Sequence, residues 1–330
     1  MHELDPVGSV GDLISHLNGK LRRLRPLYVK DLSIATSLPF PFGLWFRGQP
    51  DASKELTPRV FRSDRSTQDE TSMYNHFLVR SPEHRLLHKG VFDWLCLMQH
   101  YDLPTRLLDW SESALIGLFF AVSKQPSKDG RVFVISAQRL NSITNWQLAP
   151  GRAPETISSP WSLGTVMRSH MAVSRSLDEW RQRMRSMTDM DSGRAAVCRE
   201  IGGNVLDSQL LSTLRQPLAV LPSRLNGRMI AQSSCFTLHG GKLYPDTSPV
   251  TDPLPEPITL EKLDDAQAPG SQFLFSFRVP GTSKRKIQKE LWLLGIHAGS
   301  LFPEIDRQAQ FIESLWTHGL QPRRTKKTPP

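Results

Sequence analysis

The twelve residues Gln99-His100-Tyr101-Asp102-Leu103-Pro104-Thr105-Arg106-Leu107-Leu108-Asp109-Trp110 constrain this chain more than any other stretch. They close an amphipathic helix whose apolar positions Val91, Trp94, Leu95 and Met98 recur at helical spacing, and Pro104 stops that helix. A His, an Arg and two Asp lie among the apolar residues, and such groups are costly to desolvate unless they satisfy one another or a ligand. A second stretch, Leu44-Trp45-Phe46-Arg47-Gly48-Gln49, reads as a strand with one charge at its centre. Both blocks need partners for buried donors. Arg47 is therefore expected within hydrogen-bond or ion-pair reach of the His100–Asp109 turn.

Strand signals also occur at 131–135, 228–238 and 272–279. Helix signals cover a stretch near the N-terminus, a segment opening at Ser66 or Thr67, 113–123, Lys284 to Leu294 with Ser283 as cap and Gly295 as stop, and 304–317. Strands and helices do not alternate regularly, so the fold class expected is α+β, a mixed or antiparallel sheet packed with helices. The division expected is a helical, basic segment at 1–37, a main domain at 38–318 and a basic, disordered tail at 319–330. Residues 141–212, polar and interrupted by prolines, are expected as a helical insertion; five prolines mark 245–257 as a surface loop or linker.

The 330 residues carry 41 basic and 32 acidic side chains, a net charge of +9, so a nucleic-acid partner is compatible with composition. No apolar run approaches the ~20 residues of a membrane-spanning helix, and no membrane partner is expected. The N-terminus has no signal-peptide pattern. Cys96, Cys198 and Cys235 lack ligand spacing, which points to free thiols in a reducing cytoplasm rather than to a disulfide framework or a metal site. Rossmann, phosphate-loop, metalloprotease and nucleophile-elbow patterns are missing from the sequence.

A guanidinium keeps its proton, so a buried Arg47 must meet carboxylates, carbonyls or a phosphate. Either it pairs with Asp109 or Asp102 and fastens strand to helix, or it anchors a phosphate, with Gly48 letting the ligand approach the backbone. Arg106 and Asp109, read at the turn and start of a helix, either close the loop as a salt bridge or face one cavity, Arg106 then being a second phosphate fork. His100 either packs in the core or transfers a proton. Tyr101 either fills core or stacks on a nicotinamide or base. Gln232, read on a strand, is either a structural clip or a ligand reader. In the functional alternative His100, Asp109 and Gln232 form the catalytic set; Arg47, Gln49, Tyr101 and Arg106 form the ligand-binding set.

Phe46-Arg47-Gly48 and the Gln99–Trp110 block together resemble the FRG domain family. The resemblance continues through Leu118-Phe119-Phe120-Ala121, Arg228-Met229-Ile230-Ala231-Gln232 with Phe236, and Leu301-Phe302-Pro303-Glu304-Ile305-Asp306, from about residue 40 to residue 312. An Arg on an early strand and a Gln on a late one are also similar in order to the ADP-ribosyltransferases. In that superfamily an early Arg or His grips NAD and a late Glu near a Gln promotes transfer. Carried over, Arg47 would hold the pyrophosphate and Gln232 the late-strand place. Ser234 stands where the Glu is expected, which leaves Asp109 to stabilise ribosyl charge. The resemblance thus implies an ADP-ribosyltransferase-like fold that binds a phosphate-bearing ligand, NAD being favoured, in a bacterial defence or toxin setting. The alternative is a non-catalytic adaptor for a nucleotide, protein or nucleic acid. Acceptor and oligomeric state are left open.

Overall fold

The computed structural model describes residues 2–19, 21, 44–62, 70–84, 91–144, 216–222, 224–239, 258–268 and 270–318. The expectations for 245–257, for 319–330, for Cys198 and for the insertion beyond Thr144 lie outside these residues.

In chain order the elements are β1 (His2–Leu4), α1 (Val10–Asn18), β2 (Leu44–Gln49), α2 (Glu70–Arg80), α3 (Val91–His100), β3 (Leu107–Ser111), α4 (Ala114–Val122), β4 (Gly130–Ser136) and α5 (Ala137–Thr144). There follow β5 (Leu218–Val220), α6 (Gly227–Ala231), β6 (Ser234–Leu238), α7 (Leu260–Asp265), β7 (Leu274–Val279), α8 (Lys284–Leu293), α9 (Ala298–Leu301) and α10 (Ile305–His318). The seven strands form one mixed sheet in the order β1-β7-β4-β2-β3-β6-β5, parallel only between β1 and β7. Mixed strands with helices agree with the α+β expectation at this coarse level.

Local chemistry explains most boundaries. Ser9 caps α1 by accepting from the Asp12 N–H, and the Asp12 carboxylate accepts from Gly8 N at 2.8 Å. Leu103 N–H donates to Met98 O and Asp102 N–H to Gln99 O, so α3 ends in a Schellman turn with Asp102 left-handed at φ 59°. Pro104 lies beyond that stop rather than causing it. Gly295, φ 77°, ends α8 in the same way. Ser283 stands at the N-cap position of α8 as expected, but its side chain makes no capping bond, because it ends a 3-10 turn that runs straight into the helix.

Side-chain alternation sorts the core into three clusters. On one face Leu44 and Phe46 pack with Leu118, Val132, Val134, Phe277 and Ile287 beneath α4, α1 and α8. On the same face but further along, Leu107, Phe236 and Leu238 pack with Phe92, Leu95 and Met98 of α3. On the opposite face Trp45, Leu108, Trp110, Phe133, Ile135 and Leu274 form one continuous cluster.

Two segments differ from expectation. Residues 107–111 are a strand, not the start of a helix, because Leu107 and Leu108 are buried on opposite faces between β2 and β6. The 228–238 segment is a short helix followed by a strand. Asn226 accepts from Met229 N–H and starts α6, and Ser233, at φ 45°, turns the chain before β6.

The edge strand β5 is completed by a side chain. Buried Asn141 donates Nδ2 to Ala219 O at 2.9 Å and accepts from Ala219 N at 2.8 Å. Asn141→Leu is expected to cost about 2–6 kcal/mol in urea unfolding, because two buried backbone groups lose partners worth roughly 1–3 kcal/mol each.

Candidate functional site

β2 and β3 meet through a single registered pair, Phe46 with Ser111, whereas β2 and β4 pair over six residues. Beyond that pair the two strands diverge. A cleft of about 260 Å³ opens there, between α3 and α4. Its apolar surface comes from Phe46, Phe120, Phe236 and Met229, and its polar groups include Arg47, Arg59, Asp109 and Arg228.

Arg47 spans the divergence. Its Nη1 donates to Asp109 O at 2.7 Å and lies 3.5 Å from Asp109 Oδ2. The expected contact between strand and turn is present, and the carboxylate used is that of Asp109 rather than Asp102. Arg47 Nε is buried and has no hydrogen-bond partner among the described residues. Burial disfavours the guanidinium charge, the nearby Asp109 opposes this, and Arg62 adds to the cost.

Asp109 is half exposed and oriented from behind. Thr105 Oγ1 donates to Gln99 Oε1 at 2.5 Å, which fixes the amide so that Nε2 donates to Asp109 Oδ2 at 3.0 Å. Oδ1 is thereby left for the cleft. At one end Arg59 holds Asp102, donating Nη1 to its carbonyl at 2.7 Å with the carboxylate at 3.7 Å. At the other end Glu304 Oε1 lies 3.7 Å from His100 Nε2 and 3.9 Å from Arg228 Nη1, and Arg228 sits over the Phe302 ring at 4.9 Å. Burial, first, and Arg228 lower the His100 pKa against the pull of Glu304, Asp102 and Asp306, which favours the uncharged ring. Cys96 also lines the cleft, but burial pushes its thiol well up, so it is no thiolate nucleophile.

The residues singled out in the sequence separate into two groups. Arg47, His100, Asp109 and Gln232 line the cleft; Gln49, Tyr101 and Arg106 do not. Arg106 is wholly buried against Glu70, whose carboxylate accepts from Arg106 Nε at 2.7 Å and from its backbone N at 2.8 Å. The alternation of β3 sends Arg106 and Asp109 to opposite faces, so they neither pair nor share the cavity. Gln49 is buried and donates Nε2 to Glu55 O. Tyr101 is 56% exposed, its ring edge-on to His100. Gln232 ends α6 rather than lying on a strand, and its Nε2 donates to Leu301 O at 3.0 Å. Gly48 lines the cleft and also packs on α4, where a Cβ would stand 1.9 Å from Gly117 O.

Sequence reading missed Arg59, Gln99 and Arg228 as cleft groups, and Glu304 as the acidic partner of His100 and Arg228. Arg228 and Glu304 lie inside blocks already marked by resemblance, which was the available signal. Nothing in the sequence marked Arg59. Behind the cleft, buried His239 faces Arg47 and Arg106, and desolvation with these two cations lowers its pKa to about 3.

Residues 43–130 match the FRG domain model, so the chain carries an FRG domain over that span. The domain model covers Arg47, Arg59, Gln99, His100 and Asp109, while Arg228, Gln232 and Glu304 reach the site from outside it. No curated protein and no solved structure matches the chain.

Proposed function

We propose that the cleft binds a nucleotide or another phosphate-bearing ligand, with NAD as the first ligand to test. The observation that carries this is Arg47. Its only hydrogen bonds among the described residues go from Nη1 to Asp109, so Nη2 and Nε remain to donate, and two further arginines line the same cleft.

The finer reading is ADP-ribosyl transfer in a bacterial defence or toxin setting. The bond from ribose to nicotinamide would break with its electron pair leaving on nicotinamide. The free Oδ1 of Asp109 would face the positive ribosyl carbon, and neutral His100 would take the acceptor's proton. Oriented support behind Asp109 favours this reading; the place of Gln232 at the end of α6 does not contribute to it.

A non-catalytic adaptor is the second reading. It is favoured by the acidic partner that each cleft arginine already has: Asp109 for Arg47, Asp102 for Arg59 and Glu304 for Arg228.

Calorimetry with NAD and detection of released nicotinamide separate the readings. Arg47→Lys is expected to weaken binding by about tenfold or more, since a lysine keeps the charge but loses the fork. Asp109→Asn is expected to lower turnover while leaving affinity nearly unchanged. Wild-type protein that binds no nucleotide, with both variants only melting earlier, would leave these residues a structural role alone.

A further inference from the structure

No residue of α8 lines the cleft, and the helix presents two unlike faces. Lys284, Ile287 and Leu291 are buried, and the Lys284 ammonium donates to three backbone carbonyls, of Pro50, Lys124 and Gln125. The outward face carries Arg285, Lys289 and Trp292, at spacings of four and three residues, with Leu293 beside them. Arg285 and Lys289 have no acidic partner among the described residues. The one carboxylate on the helix, that of Glu290, accepts from Val10 N at 2.7 Å and faces Lys286 at 3.8 Å.

Trp292 is 47% exposed, yet its ring is held. His297 lies at 4.6 Å and Phe311 at 5.8 Å between centroids, and His297 stacks on Phe311 at 5.1 Å. Gly299 makes room for this cluster, since a Cβ there would meet the Phe311 ring at 2.5 Å. Residues 284–318 hold five basic and four acidic side chains, so the positive character of this face is local to Arg285 and Lys289, and residues 319–330 add four more basic side chains in sequence.

We propose that this outward face of α8, through Arg285, Lys289 and Trp292, docks single-stranded nucleic acid. Two unpaired cations one helical turn apart, about 6 Å, match neighbouring backbone phosphates. The fixed indole offers a flat face for a base, as sequence-tolerant binders do. A ring held by His297 and Phe311 is set for stacking rather than for the burial that anchors an interfacial helix in lipid. The inference is independent of the cleft and of its ligand.

The test is fluorescence anisotropy of the full chain with a labelled, mixed-sequence oligonucleotide of roughly 20 nucleotides, as DNA and as RNA, at about 50 and 200 mM salt. Three variants are compared: R285E/K289E, Trp292→Ala, and one with Arg323, Arg324, Lys326 and Lys327 all changed to Ala. Wild-type affinity is expected to fall steeply with salt, and R285E/K289E to weaken binding by about tenfold or more. Trp292→Ala is expected to weaken it by about fivefold or more with an unchanged salt slope, because stacking releases no counterions. Four results would overturn the proposal: no retention of either oligonucleotide by wild type, unchanged binding by R285E/K289E, loss confined to the tail variant, or binding to phosphatidylserine vesicles without binding to oligonucleotides. The R285E/K289E arm changes only exposed side chains, so its outcome stands even if Trp292→Ala loosens the ring cluster.

Discussion

Gly48→Ala is expected to destabilise the protein by about 3 kcal/mol or more, at the top of the range for overpacking. The added Cβ would lie 1.9 Å from Gly117 O and 2.4 Å from Ala121 N. Both obstacles are backbone atoms of α4, so no side chain can rotate away. The helix cannot simply lift, because Leu118, Ala121 and Val122 on its inner side are buried in the core. Against a typical total stability of about 5–15 kcal/mol, the loss should appear as a large fall in the urea midpoint. Gly295→Ala is the informative control. That residue has φ 77° but nothing within 4 Å of its would-be Cβ, so only the backbone penalty of about 1–2 kcal/mol applies. Equal losses in the two variants would contradict the packing explanation.

Glu70→Gln is expected to cost about 3–5 kcal/mol, the usual consequence of leaving a buried charge without its partner. Both side chains are fully buried, and the carboxylate satisfies two donors of Arg106, one from its backbone. Two further donors, Nη1 and Nη2, have no partner among the described residues, which leaves Arg106 little to fall back on. Glu70→Leu combined with Arg106→Met removes both charges and is expected to regain most of the loss in guanidinium unfolding. A double variant no more stable than the single one would mean that the pair matters chiefly for shaping the backbone before β3. Neither change touches the cleft lining, so ligand affinity measured well below the midpoint should survive in the double variant.

What could be read in advance follows from how local each signal is. The strands around Trp45, Phe133 and Phe275 announce themselves because runs of apolar residues bury both faces. The Arg47–Asp109 contact was legible for a different reason: a buried guanidinium must find an acceptor, and the polar block at 99–110 offered one. β3 was not legible, since five residues after a proline and two polar residues fit a strand or a helix start equally well. Arg106 illustrates the limit most clearly. Its partner Glu70 lies 36 residues earlier, and no spacing rule connects the first turn of α2 to the residue before β3. Gln232 was misplaced because a cap at Asn226 and a left-handed Ser233 divide a stretch whose composition looks continuous. The cleft itself draws on residues from 46 to 236, so its walls could be recognised one by one but not assembled.

The single pair that joins β2 to β3 makes the sheet resemble an open book. One leaf is β1-β7-β4-β2 and the other is β3-β6-β5. The cluster containing Trp45, Trp110 and Phe133 binds both leaves along a spine, whereas the clusters on the cleft side belong to one leaf each. Arg47 is the clasp, rooted in one leaf and bonded to Asp109 of the other. The bond from Arg47 to Asp109 therefore ties the two leaves on the cleft side, where backbone pairing between β2 and β3 ends.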